Sequence, residues 1–508
     1  MTPDQAFPSE QDSRSGSAEI DEQVAQLIRL VRSGEGANIK LAFLLAENLG
    51  NPAAFQQYLD ELLPLYQLAF GRQRKKWDAA ALAKLFQLTR LEISGKELAA
   101  LPESVGQLHR LEKLDCHNNQ LRTLPESIGQ LHQLKELNCR KNQLQALPES
   151  LGGLQNLQEL YCQDNQLQVL PESLGQLLHL RELYCASNQF QALPESLGRL
   201  HSLEKLWCDR NQLQTLPESL GELQNLQQLN CRFNSLQALP ESIGQLHSLG
   251  WLACETNQLQ VLPESIGQLH KLQTLYCSYN QLQNLPESIG RLQNLQSLSC
   301  DHNRLQTLPE SIGQLQNLGW LYCSDNQLQA LPTSLGQLYE LQELQCSSNQ
   351  LQALPEGLGE LQNLKRLYCD HNQLQTLPQS LGALQNLQSL SCSSNQLQAL
   401  PHSLEGLHSL EKLICFNNQL QALPESLGQL PCLEKLDCSS NQLQALPESL
   451  GALQNLKELH CFSNQLQALP ERLGWLKKLK VLNARQNPLT HIPPALQQKK
   501  WFQLLVDE

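Results

Sequence analysis

The residues best equipped for chemistry in this chain are its thiols, and they stand in a strict series. Of the 17 cysteines, all but one recur every 23 residues between Cys116 and Cys461, with Ile93 and Ala484 on the same spacing at the two ends. Metal binding calls for CxxC or paired Cys/His spacing, and neither occurs. A disulfide needs Cβ atoms about 3.8 Å apart. Equivalent positions on neighbouring parallel strands lie about 4.8 Å apart, with their Cβ vectors side by side. The remaining role is packing, with cysteine as a small buried apolar residue. So many free thiols point to a reducing compartment. Cys432 stands off the series and is expected to be the most exposed thiol. No neighbour there would activate it as a nucleophile.

Other reactive constellations are absent. Ser94-Gly95-Lys96 lacks the earlier glycine and the following Ser/Thr of a phosphate-binding loop. HExxH and GxSxG do not occur. Asp301-His302 and Asp370-His371 have the look of catalytic pairs. They share one offset, three repeats apart, so about 14 Å separates them on a sheet, and they read as surface contacts. No catalytic residue, cofactor or metal site is expected.

The elements that position these residues follow from the repeat. One unit reads LQELYCQDNQLQVLP, Leu157 to Pro171, and the next begins at Leu180. Leu160, Tyr161 and Cys162 alternate in, out, in, as a short strand does. Asn165 is the polar member of an otherwise apolar frame, and its amide can bond backbone groups of its own and the adjacent coil. Without it a buried backbone group would cost about 1–3 kcal/mol. Pro171 suits the first position of a short helical turn, and Gly175 is expected to keep that turn from growing. Leu167, Leu170, Leu174 and Leu177 complete the inward set. No coil buries its leucines alone, so stacked coils must share a core.

A fixed period of this length built as LxxLxLxxNxL is the signature of a leucine-rich repeat. From about Leu88 to Leu496 the chain resembles that family, in the 23-residue form with LP after the asparagine. Similar arrays occur in bacterial leucine-rich repeat proteins, Roco-type proteins and Ras-associated repeat scaffolds. The resemblance implies an α/β solenoid, a horseshoe of about 18 coils with a parallel sheet on its concave face and a partner bound there.

Recognition is expected where the repeat varies. One residue before the cysteine stand Tyr161, Tyr184 and Trp207, then Tyr276, Tyr322 and Tyr368. Three before it stand Trp251 and Trp320. Asp209, Arg210, Arg232 and Phe233 follow the cysteine, with Glu255 and Tyr279 nearby. Tyr, Trp and Arg are enriched at binding hot spots, although aromatics also suit strands and stack across them. The centre of the site is expected at Tyr184, Trp207, Arg210 and Trp251. Later rungs carry serine pairs such as Ser393-Ser394 and Ser439-Ser440.

The chain divides into a polar tail at 1–17 expected to be disordered, helices at 18–87 that cap the first coil, the array at 88–492, and a capping helix at 493–508. The basic run Arg72, Arg74, Lys75, Lys76 reads as a solvated helix end. A net charge of −13 argues against nucleic acid as a partner. No apolar stretch is long enough to enter a membrane, and no Sec-type signal is evident, so a cytoplasmic setting is expected, with a specialised export route left open. The function these features favour is a non-enzymatic scaffold for a protein partner of unknown identity. Two alternatives stand beside it. One is the targeting subunit or secreted effector of a ubiquitin-ligase or GTPase system with its catalytic part on another chain. The other is a carbohydrate or peptidoglycan receptor.

Overall fold

The structure, a computed structural model, describes residues 10–74, 76–499 and 502–507. It divides into two compact units, Met1–Leu213 and Gln214–Glu508.

The first unit opens with helices. α1 spans Glu10–Arg32, α2 Gly36–Asn48, α3 Ala53–Glu61, α4 Leu63–Phe70 and α5 Ala79–Phe86. Of the expected tail, residues 1–9 lie outside the described residues, and 10–17 belong to α1. Val24, Leu27 and Val31 of α1 are buried, as their spacing predicts. Pro64 cannot continue a helix begun upstream, and the chain breaks at Leu62 into α3 and α4. Asp78 caps α5 by accepting from the Ala81 N–H at 2.8 Å. Of the basic run, Arg74 pairs with Asp78 at 2.9 Å, and Lys75 lies outside the described residues. Lys96 Nζ, in the coil without an asparagine, donates to Leu68 O at 2.9 Å and ties the helices to the first coil.

Each coil then contributes a three-residue strand and a five-residue 3₁₀ turn, such as Glu159–Tyr161 and Glu172–Gln176. The strands of each unit pair in parallel at a register of one repeat, Leu160 opposite Leu183 in the first and Leu275 opposite Leu298 in the second. The strand begins one residue earlier than the alternation suggested, yet Cys162 N–H still donates to Tyr184 O at 2.9 Å. Leu157, Leu160, Leu167, Leu174 and Leu177 are fully buried, as are the marker cysteines, while Cys432 is exposed.

The asparagines act as expected. Asn165 Nδ2 donates to Cys162 O at 3.0 Å and to Cys139 O of the preceding coil at 3.1 Å. Its Oδ1 accepts from Leu144 N–H, also of the preceding coil, at 3.0 Å. The turn is short, as expected, and its glycine also meets a packing constraint. A Cβ on Gly175 would stand 2.5 Å from Ser196 O, so glycine is there because the next coil's backbone passes against it. Pro171 is one step outside its turn, in extended conformation as the residue preceding it.

The C-terminal end departs from the expected helix. α6 covers only Pro494–Gln497, and Gln503–Leu505 is a strand that pairs in parallel with Val481–Asn483. The last coil of the array presents unpaired N–H and C=O groups along its edge, and a helix laid over it would leave them unbonded. Ala484 N–H instead donates to Leu505 O at 2.8 Å. Phe502 is half-buried, and Trp501 lies outside the described residues.

Candidate functional site

The residue two after each marker has a left-handed backbone. Its φ lies between +50° and +57° in the coils from Asn118 to Gln486. Side chains other than glycine pay about 1–2 kcal/mol there, least for Asn and Asp, and a β-branched or bulky residue is a clear outlier. About half of the coils place Asn, Asp or Ser at this point. The second unit places Phe233, Thr256 and Tyr279 in succession, followed by His302 and Asp325. Phe233 and Tyr279 are exposed, at 43% and 56%. The coil imposes the backbone, so the bulk is an addition that costs stability locally.

These side chains border a hollow of about 420 Å³ on the strand face. Tyr279 and His302 stack with ring centroids 4.1 Å apart and planes at 17°. Small residues, Ser278, Ser299 and Ser324, line it between the larger ones. Asp301 is fixed there: its carboxylate accepts from Ser324 N–H at 2.8 Å, Ser299 Oγ at 2.9 Å and Ser278 Oγ at 3.4 Å. Burial pushes the Asp301 carboxyl above the usual carboxylate range against those bonds, and burial does the same to Glu255. Arg232 Nε stands 3.8 Å from Glu255 Oε2, a buried oxygen that accepts no hydrogen bond. His302 turns Nε2 toward Asp325 at 3.5 Å, while serines and a backbone N–H hold Asp301, so Asp301 and His302 do not assemble as a dyad. Asp370 repeats the arrangement, accepting from Ser391 Oγ at 2.5 Å and Ser393 N–H at 2.8 Å.

The expected site residues fall in several groups. In the first unit Tyr161 and Tyr184 stack at 4.9 Å and 11°, and Tyr184 meets Trp207 at 5.4 Å. Tyr161 and Tyr184 donate their hydroxyls to Glu159 and Glu182 at 2.8 and 3.0 Å. Burial first, and then that carboxylate, push the Tyr184 hydroxyl up to about 12. This run is a cross-strand stack in which both tyrosine hydroxyls are satisfied. Asp209 is buried and Arg210 exposed beyond it. In the second unit Arg232 and Phe233 border the hollow, whereas Trp251, Tyr276, Trp320, Tyr322 and Tyr368 do not. Trp251 and Tyr276 meet edge-on at 6.3 Å. Trp320 and Tyr322 share a strand, and Tyr368 lies two strands on. Thr256 and Asp325 escaped sequence reasoning, and Asp301 and His302 entered it only as surface contacts. For Thr256 and His302 the signal was present in the sequence as bulk at an offset that about half of the coils give to Asn, Asp or Ser.

Among the described residues no group of His, Cys, Asp and Glu could hold a metal ion, and no helix is long and apolar enough to cross a membrane.

Family models agree with this architecture. A leucine-rich repeat region model matches residues 62–160, 128–238 and 275–371, and shorter leucine-rich repeat models match 362–420 and 408–450. The sequence matches no curated protein. Among solved structures, a Leptospira interrogans LRR protein is similar at 33% identity, with a TM-score of 0.63 over 84% of this chain and 98% of that one. YopM from Yersinia enterocolitica is similar at 27% identity and a TM-score of 0.60, over 89% of this chain and 99% of that one. The plant peptide hormone receptor RGFR1, solved in complex with RGF2, is similar at 27% identity and a TM-score of 0.55, over 79% of each chain. Repeat, coil geometry and similarity together place this chain in the family of leucine-rich repeat proteins.

Proposed function

We propose that the chain is a non-enzymatic scaffold that binds a protein or peptide partner on its strand face. The observation that carries this reading is the run of Phe233, Thr256 and Tyr279 on left-handed backbone beside the hollow. The fold gains nothing from bulk at those points, and exposed aromatic area is the type of surface that anchors partners. The receptor RGFR1 was solved with RGF2, which supports the same kind of use here. The helices at 18–87 then serve as the N-terminal cap. Buried free thiols support a reducing, cytoplasmic setting, and relatives from Leptospira and Yersinia support a bacterial origin.

The test compares full-length variants in affinity capture from the native cell, with melting temperatures measured alongside. Trp251→Ala and Tyr279→Ser, both in the second unit, are each expected to weaken capture of one common partner at least tenfold, with little change in melting. Glu172→Ala, on a 3₁₀ turn, should do neither. Unaltered capture by both strand-face variants would move the site elsewhere.

A further inference from the structure

The hollow beside Phe233 and Tyr279 has a definite charge and size, and these specify more than a generic partner. We propose that it takes a cationic side chain, lysine or arginine, carried on an extended segment of the partner. The inference rests on the strand-face reading and names the chemistry of what binds there.

Size comes first. About 420 Å³ is the low end of the range that holds small ligands. It admits one or two large side chains and no folded element.

Charge comes next. Three carboxylates, Glu255, Asp301 and Asp325, face one guanidinium, Arg232. That guanidinium is already engaged: its Nε donates to Asn230 Oδ1 at 3.2 Å and stands 3.8 Å from Glu255 Oε2, so it offsets at most one of the three carboxylates. Asp301 is held by hydroxyls and a backbone N–H, which orient its charge without cancelling it. Among the described residues Asp325 pairs with His302, a cation only when protonated. The surplus is negative and fixed in place before any ligand arrives, so a cation would be met without reorganisation of the site.

The walls agree. The stacked rings of Tyr279 and His302, and the exposed ring of Phe233, border the same space. Aromatic faces attract ammonium and guanidinium groups, and apolar stems of lysine and arginine pack on such surfaces. A neutral segment would gain from the rings alone, and an acidic one would in addition be repelled by the aspartates.

The test uses the full-length chain and two blocked tripeptides, N-acetyl-Gly-Arg-Gly-amide and the same peptide with neutral citrulline for arginine, in ligand-observed saturation-transfer NMR. The arginine peptide should bind at least fivefold more tightly than the citrulline peptide. The double change Asp301→Asn with Asp325→Asn should remove that preference. Asp370→Asn, which alters the same serine-bonded aspartate three rungs on, should preserve it. Equal binding of the two peptides, binding of neither, or equal loss in the Asp370→Asn variant would overturn the proposal. Partner capture separates the two readings. If capture falls in Tyr279→Ser but is indifferent to both aspartate changes, strand-face recognition stands and the cationic ligand does not. If capture is indifferent to the strand-face substitutions as well, both fail.

Discussion

Two stretches of the second unit share one backbone and carry different surfaces. At Thr256 and Tyr279 φ is +54°, and at Ser394 and Ser440 it is +52° and +51°. Asn303 and Asn395 make the same bonds in their respective coils, each donating to three carbonyls and accepting one N–H. Leucines and marker cysteines are buried alike in both. The frame therefore neither requires nor rewards what stands at the variable positions. The serine stretch shows the coil at its least costly. The aromatic stretch shows what has been added to it, and additions that cost backbone energy call for a return outside the fold.

That comparison can be tested first where the two stretches should behave identically. Burial holds the thiols of Cys300 and Cys438 well above their ordinary value and pushes Cys346 and Cys461 up to about 12. An unfolded thiol ionises near about 8.5. The native state keeps these protons where the unfolded state releases them, so stability is whole below that pH and is lost as pH rises toward the folded values. The loss approaches about 1.4 kcal/mol per thiol per pH unit, and many thiols act together. Urea midpoints measured from pH 7 to 10.5 should fall steeply. Valine at Cys300 or at Cys438 should flatten the curve by the same amount, and a midpoint that ignores pH would mean the thiols are not held neutral by burial.

The next effect belongs to the asparagines. Asn303→Ala and Asn395→Ala each leave one backbone N–H, that of Leu282 or Leu374, without its acceptor and take one of two donors from each of three carbonyls, and each should cost about 1–3 kcal/mol. Denaturation should give losses alike to within about 1 kcal/mol. A large inequality would show that the two stretches differ in frame as well as in surface.

The smallest effect separates them. Thr256→Gly relieves a β-branched side chain on left-handed backbone and should stabilise by about 1 kcal/mol, offset only in part by the flexibility of glycine when unfolded. Ser440→Gly should gain less than about half of that. If both changes give the same shift in melting temperature, bulk at Thr256 carries no special cost.

Much of this was legible in the sequence because a 23-residue period leaves a chain few alternatives. Leucine spacing, the asparagine and the absence of insertions define the coil, and Cys162 could be assigned to the core from strand geometry alone. The C-terminal strand was not legible. Phe502 and Leu505 have helical spacing, and only the unpaired edge of Val481–Asn483 turns that segment into a further rung. The packing constraint on Gly175 was equally hidden, because Ser196 approaches it from the next coil. The site was half legible. Tyr161, Tyr184 and Trp207 drew notice by their size, yet they stack across strands, with the two tyrosine hydroxyls bonded to Glu159 and Glu182. The left-handed backbone at Thr256 and Tyr279, which makes their bulk informative, has no marker of its own in sequence.

The asparagine bonds also have a mechanical meaning. Each one clasps its coil to the one before, and within either unit a coil is held by its immediate neighbours. A chain drawn out from its ends by force should therefore shed coils singly. Each release frees 23 residues, about 80 Å of contour length at about 3.5 Å per residue. A force–extension trace would then be a sawtooth of even teeth, with each asparagine acting as the latch that sets the height of one tooth.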